Sequence, residues 1–133
     1  MLLPKKINCK SIEMGSIAAE VISHQNLGDH SHHNDKSEQK VILYLHGGAY
    51  CICAPKTHRT LTFHLAKTTQ ARVYVPDYRL APEHPFPAGI DDCLLSYQWL
   101  LSQGYHSENI TLAGDSAGAG LVMATAQRIR ELN

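Results

Sequence analysis

The stretch that most constrains the fold is Asn109 to Gly120, NITLAGDSAGAG. Ile110, Thr111, Leu112 and Ala113 make a short apolar run with β-branched residues, the signature of a buried strand. Gly114-Asp115-Ser116-Ala117-Gly118 then fits G-x-S-x-G, and from Leu121 the residues LVMATAQ favour helix. Strand, tight turn and helix form the context that gives this pattern its meaning. The turn is so sharp that its central serine is driven into a strained backbone conformation, with the hydroxyl clear of the sheet. A Cβ at Gly114 or Gly118 would strike the neighbouring strand or helix. The following helix directs its N-terminus, with roughly half a positive charge and unpaired N–H groups, at the serine. Ser116 is therefore the candidate nucleophile. The plainer alternative is a glycine-rich turn with a helix-capping serine, and the flanking elements weigh against it. The small and aliphatic residues after Ser116 also exclude the β-barrel serine proteases, whose Gly-Asp-Ser-Gly-Gly loop is not followed by a helix.

The rest of the chain supplies a partner for that turn. Residues 7–14 and 17–24 alternate loosely around Gly15-Ser16 and predict a hairpin. Residues 25–40 form a polar loop containing His30, His32 and His33; no carboxylate or cysteine spacing fixes a metal geometry there, so a solvated loop is expected. Val41 to Leu45 (VILYL) is the strongest strand and suits a parallel sheet buried on both faces. It runs straight into His46-Gly47-Gly48-Ala49-Tyr50. A helix over 57–68, a strand over 72–75 ended by Pro76, and a helix over 91–101 follow. The segment 76–87 carries too many prolines for regular structure and must be an ordered loop. A final helix runs from Leu121 to about Leu132.

Strands alternating with helices imply a mostly parallel sheet with helices on both faces. Ligands in such sheets bind beyond the carboxyl ends of the strands. Both glycine motifs lie there, so the fold brings His46–Ala49 and Gly114–Gly118 to one edge. Serine attack on an ester carbonyl creates an oxyanion, and each backbone N–H fixed where that charge appears is worth about 2.7–4 kcal/mol. Gly48 and Ala49, with the N–H of Ala117, are the candidate donors, and Gly47 shapes the turn of this oxyanion hole. The chemistry needs no cofactor and no metal.

Composition narrows the partners. Hydrophobic residues make up 44% of 133, enough for the core of one globular unit. Lys plus Arg equals Asp plus Glu at 12 each, so no charge excess draws the chain to nucleic acid or an anionic membrane. No run of about 18 apolar residues spans a membrane, and the N-terminus lacks the apolar core of a signal peptide. Cys9, Cys51, Cys53 and Cys93 offer only one C-x-C pair, a poor zinc signal, so free thiols in a reducing, cytoplasmic setting are expected.

Three segments, His46–Ala49, Asp77–Ala88 (DYRLAPEHPFPA) and Gly114–Gly118, together resemble in order and spacing the hormone-sensitive-lipase-like family of α/β-hydrolase esterases. The resemblance covers roughly residue 7 onward. It implies an α/β-hydrolase fold and a serine carboxylic-ester hydrolase that acts on a small-molecule ester through an acyl-enzyme. Ser116 would be the nucleophile, and the Gly48, Ala49 and Ala117 amides the oxyanion hole. Asp77–Ala88 would buttress the oxyanion loop, with Arg79 and Glu83 in its internal bonding. Two departures stand out. Ala49 replaces the third glycine of the family's HGGG form. The family also supplies an acid and then a histidine well after the serine, whereas all nine histidines here precede Ser116. The one acid after it, Glu131, would stand roughly 22 Å away along a helix. The family's helical cap is largely missing too. Residues 1–133 therefore read as a partial α/β-hydrolase domain, truncated after the nucleophile helix and inactive alone. The alternative reading is a noncatalytic ligand-binding or pseudoenzyme member, since the family resembles plant hormone receptors that keep the serine motif and lose the histidine.

Overall fold

The computed structural model describes residues 4–27 and 35–133. His30, His32 and His33 lie outside them. The described residues form β1 (Ile7–Met14), β2 (Ile17–His24), β3 (Val41–Leu45), α1 (Arg59–Thr69), β4 (Arg72–Pro76), α2 (Ala88–Ser102), β5 (Ile110–Gly114) and α3 (Ala117–Leu132). One sheet holds all five strands in the order β1-β2-β4-β3-β5. β1, β2 and β4 pair antiparallel in succession, whereas β3 pairs parallel with both β4 and β5. The sheet is thus mixed, with a parallel core of three strands and the hairpin added at one side.

The order of the parallel strands decides where a site can form. The chain passes from β3 to its neighbour β4, then reverses and crosses to β5 on the other side of β3. Right-handed crossovers in opposite directions place their helices on opposite faces. The core divides accordingly. Ile42 and Tyr44 of β3 pack with Val73, Val75 and the α1 residues Phe63 and Ala66. Val41, Leu43 and Leu45 pack with Tyr74, Cys93, Tyr97 and Leu100 and with Leu121 of α3. β3 thus alternates with period two between two buried faces, which is why every residue of Val41–Leu45 is apolar or aromatic. The reversal leaves a crevice beyond the carboxyl ends of β3 and β5.

The helix expected over 57–68 opens at Arg59, behind a 3-10 turn over Pro55–His58, and two further helix starts differ from the sequence reading. α3 begins at Ala117, four residues before Leu121. Glycine costs a helix interior about 1 kcal/mol, so Ala117-Gly118-Ala119-Gly120 looks like a poor first turn. Packing overrides this: a Cβ on Gly118 would collide with the backbone carbonyl of Leu45, so only glycine lets α3 approach β3 this closely. α2 begins at Ala88, directly after Pro87, instead of at Asp91. Proline terminates the preceding loop, and its carbonyl accepts the Asp91 N–H at 2.9 Å to open the helix.

β5 ends the sheet, and among the described residues no strand pairs with its outer edge. Such a row of backbone groups is a template for association. Residues 1–133 produced alone should self-associate through it, eluting above monomer mass in size-exclusion chromatography with light scattering. Thr111→Lys, a charge on this exposed edge residue, should shift the population toward monomer. A monomer for the unsubstituted polypeptide would show that the edge is inert.

Candidate active site

Ser116 occupies the turn between β5 and α3 at φ 50°, ψ −121°. That is a sparsely populated region for a residue with a side chain, and it costs about 1–3 kcal/mol. The side chain makes no capping bond to α3 and is exposed. The capping role that the plainer reading assigned to this serine is therefore not the one it plays. Gly118 N–H closes the turn onto the Asp115 carbonyl at 2.7 Å. A Cβ at Gly114 would stand 2.6 Å from the Leu45 carbonyl, so the elbow is braced against the end of β3 by main-chain contact.

The loop after β3 is strained in the same way. Ala49 and Tyr50 lie at φ 53° and 64°, and Cys53 at 73°. With Ser116, these account for four of the six non-glycine residues at positive φ among the described residues. Strain collected at one edge of a sheet, where ordinary sequence would avoid it, marks a functional arrangement. Gly48 sits at φ 129°, and a Cβ there would run into the Ile52 carbonyl, so no other residue fits.

The hydrogen bonds of this loop divide sharply. The Gly47 N–H goes to Asp115 Oδ1 at 3.0 Å. The Gly47 carbonyl accepts from His46 Nδ1 at 2.7 Å. The Gly48 carbonyl accepts the N–H groups of Cys51 and Ile52 at 3.0 and 2.9 Å. The N–H groups of Gly48 and Ala49 are left without a partner among the described residues, as is that of Ala117 at the head of α3. The Gly47 donor, by contrast, is already engaged.

Asp115 connects the two loops. Its Oδ1 also accepts from Tyr44 Oη at 2.6 Å, and His58 Nε2 lies 3.3 Å from Oδ2. Burial works against the Asp115 charge, but the bonds from Tyr44, Gly47 and His58 outweigh it and hold the carboxyl below its ordinary range. The same contact acts on Tyr44, whose phenol is pushed upward by burial and by the neighbouring carboxylate and so remains a donor. His46 is buried and stacks on Tyr78 at 4.4 Å, and burial lowers its pKa.

The Asp77–Ala88 segment does brace the glycine loop after β3, though by different bonds from those expected. Tyr78 Oη donates to the His46 carbonyl at 2.5 Å, and Ala81 N–H donates to the Tyr50 carbonyl at 2.8 Å. Arg79 does not bond within the segment. Its guanidinium and its N–H both reach Asp92 on α2, at 2.8–3.1 Å. Glu83 is exposed. Between this segment, α2 and α3 lies a cavity of about 480 Å³, lined largely by apolar groups, among them Tyr50, Phe86, Ile90 and Leu121. It reaches the glycine loop at Ala49 and the first turn of α3 at Gly120.

Each residue expected at the site, Ser116, Gly47, Gly48, Ala49 and Ala117, lies at this one edge. Asp115, Tyr44 and His58 escaped the sequence reading. Asp115 is the variable position of G-x-S-x-G, and Tyr44 reads as an ordinary strand aromatic. Period-two alternation places Tyr44 and His46 on the same side, which is the only signal that pointed there.

Asp115 makes acid stability a readout of this link. Its folded pKa lies below the ordinary value of about 3.9. The stability it contributes is therefore fully present above that value and is lost as pH falls through the lower folded one. Asp115→Asn should lower the melting temperature at neutral pH and flatten its decline in acid below about pH 4. Parallel melting curves for both proteins against pH would refute the link.

A family model described as alpha/beta hydrolase fold matches residues 42–133. The carboxylesterase/phospholipase LipF of Mycobacterium tuberculosis is 46% identical over 91 residues, which is 68% of this chain and 24% of that protein. An acetyl-hydrolase of Streptomyces hygroscopicus is 44% identical over 96 residues, 72% of this chain and 32% of that one. The crystal structure of an esterase from the bacterial hormone-sensitive lipase family superposes with a TM-score of 0.86 at 39% identity, covering all of this chain and 42% of the esterase. The chain thus spans between about a quarter and two fifths of the length of these relatives. With the strained serine turn, the glycine loop and the sheet order all in place, this chain belongs to the α/β-hydrolase fold family, in its hormone-sensitive-lipase-like branch.

Proposed function

We propose that this chain carries the nucleophile and the oxyanion hole of a serine carboxylic-ester hydrolase. The observation that carries the reading is a set of three amides, Gly48, Ala49 and Ala117, without partners among the described residues, at the same sheet edge as a serine hydroxyl that caps nothing. Ser116 Oγ attacks the carbonyl carbon of an ester, and the carbonyl oxygen gains negative charge. The amides receive that charge, aided by the positive end of the sixteen-residue α3. Collapse expels the alcohol and leaves an acyl group on Ser116, which water then removes. The apolar cavity beside Ala49 and Gly120 suits the hydrocarbon portion of a small ester. The names of the relatives, an esterase and an acetyl-hydrolase among them, support the same class.

A serine needs a base. None of the 17 residues after Ser116 is histidine. The base and its orienting acid would come from the portion of the relatives' length that this chain does not span.

An alkyl fluorophosphonate tests the reading, applied to the intact gene product that carries this chain. It should label Ser116 and no other serine, Ser116→Ala should abolish labelling, and Gly48→Ala should slow it about a hundredfold or more. Labelling that survives Ser116→Ala would remove the assignment, and an inert Ser116 would favour a noncatalytic ligand-binding protein. Residues 1–133 alone should turn over a short-chain p-nitrophenyl ester at no more than about 10³–10⁴ times the rate in water. Turnover of roughly 1–10³ per second would mean that a histidine upstream of Ser116 serves as base.

A further inference from the structure

His58 belongs to none of the motifs that define the site, yet its ring is fixed from both ends. It closes a single 3-10 turn, Pro55–His58, directly ahead of α1, and its side chain is 15% exposed. Nε2 lies 3.2 Å from Asp115 Oδ1 and 3.3 Å from Oδ2. Nδ1 lies 3.0 Å from Thr57 Oγ1. The Thr57 hydroxyl gives its hydrogen to the Ala54 carbonyl at 2.8 Å and accepts the Ala54 N–H at 3.2 Å. A carboxylate only accepts, so Nε2 carries the hydrogen toward Asp115, and rotating the ring would break the contacts at both nitrogens. The groups facing the ring are Asp115, Thr57 and the aromatic rings of His46 and Tyr44, at 5.5 and 6.3 Å.

The division of labour on Asp115 gives this ring its consequence. Tyr44 Oη and Gly47 N–H both donate to Oδ1. Oδ2 has only His58 among the described residues. Without His58 the carboxylate is held through Oδ1 alone, by Tyr44 and Gly47, and it can swing about that atom, which loosens its hold on Gly47. We propose that His58 is a positioning residue of the oxyanion loop: by donating to Asp115 it fixes the carboxylate that holds Gly47, and thereby the place of the Gly48 and Ala49 amides. The catalytic part of this inference rests on the esterase reading; the structural part does not.

The test uses His58→Leu and His58→Gln in the intact gene product. Leucine removes the donor and keeps the bulk, whereas glutamine keeps an N–H that reaches the carboxylate. His58→Leu should reduce kcat on a short-chain p-nitrophenyl ester about tenfold with KM unchanged, as expected for loss of one charge-assisted bond, and His58→Gln should restore most of it. Amide hydrogen exchange at Gly47 should accelerate about tenfold in His58→Leu, while Val21 and Ile22 of β2 stay as they were. Unchanged exchange at Gly47, equal acceleration at Val21 and Ile22, or no rescue by glutamine would overturn the proposal. Should His58→Leu fail to fold, ring ¹⁵N spectra of the unsubstituted protein decide: a hydrogen on His58 Nε2 supports the proposal, and a bare Nε2 overturns it. Should the protein neither hydrolyse esters nor label at Ser116, the esterase reading falls, and exchange at Gly47 still judges His58.

Discussion

One partly buried carboxylate organises this edge of the sheet. Asp115 precedes the strained serine and draws donors from three separate places: the end of β3, the glycine loop that follows it, and the turn before α1. Burying a charge is unfavourable unless hydrogen bonds replace its water. Here they do, and the net effect is a carboxyl held below its ordinary range in spite of burial. The bonds also stabilise a backbone that local preference opposes, because a non-glycine residue at φ 50° persists only where its surroundings over-determine it. Remove the carboxylate and both loops lose their common anchor.

Topology is what makes such an anchor reachable. Tyr44 and Asp115 lie 71 positions apart, and only the reversal of strand order at β3 brings their strand ends side by side. Period two on β3 sends Tyr44 toward the α1 face, where the His58 turn arrives. Gly114 and Gly118 let the elbow rest against the Leu45 carbonyl with no side chain between. The two buried faces of β3 therefore serve different ends: one packs α2 and α3 against the sheet, and the other carries the polar link into the site.

Much of this was legible in the sequence because it is written in patterns with a physical period. The hairpin at 7–14 and 17–24, the strand at 41–45 and the serine turn are set by alternation, apolar runs and glycine placement. What stayed hidden depends on tertiary geometry. The start of α3 was obscured because two glycines that weaken a helix in isolation are demanded by close packing. Arg79 was expected to bond within its own loop, but Asp92, thirteen residues on, offers a buried carboxylate to both its guanidinium and its N–H. Asp115 and His58 sit at positions where any polar residue would have looked ordinary. Their meaning comes from partners far away in the chain, and no local signal records them.

The Gly48, Ala49 and Ala117 amides proposed to hold the oxyanion belong to the main chain, which bears on how such a protein can change over generations. A side-chain substitution can remove neither the Gly48, Ala49 and Ala117 N–H groups nor their polarity, short of proline. Their placement tolerates little, since the loop carbonyls and Gly47 are already committed. The neighbouring cavity is the reverse, a wall of replaceable side chains such as Tyr50, Phe86 and Ile90. Under the proposed function, inheritance is thus partitioned at this edge: reactivity would rest on backbone amides that only a few positions, Gly48 and His58 among them, can displace, while selectivity would rest on side chains that drift one at a time.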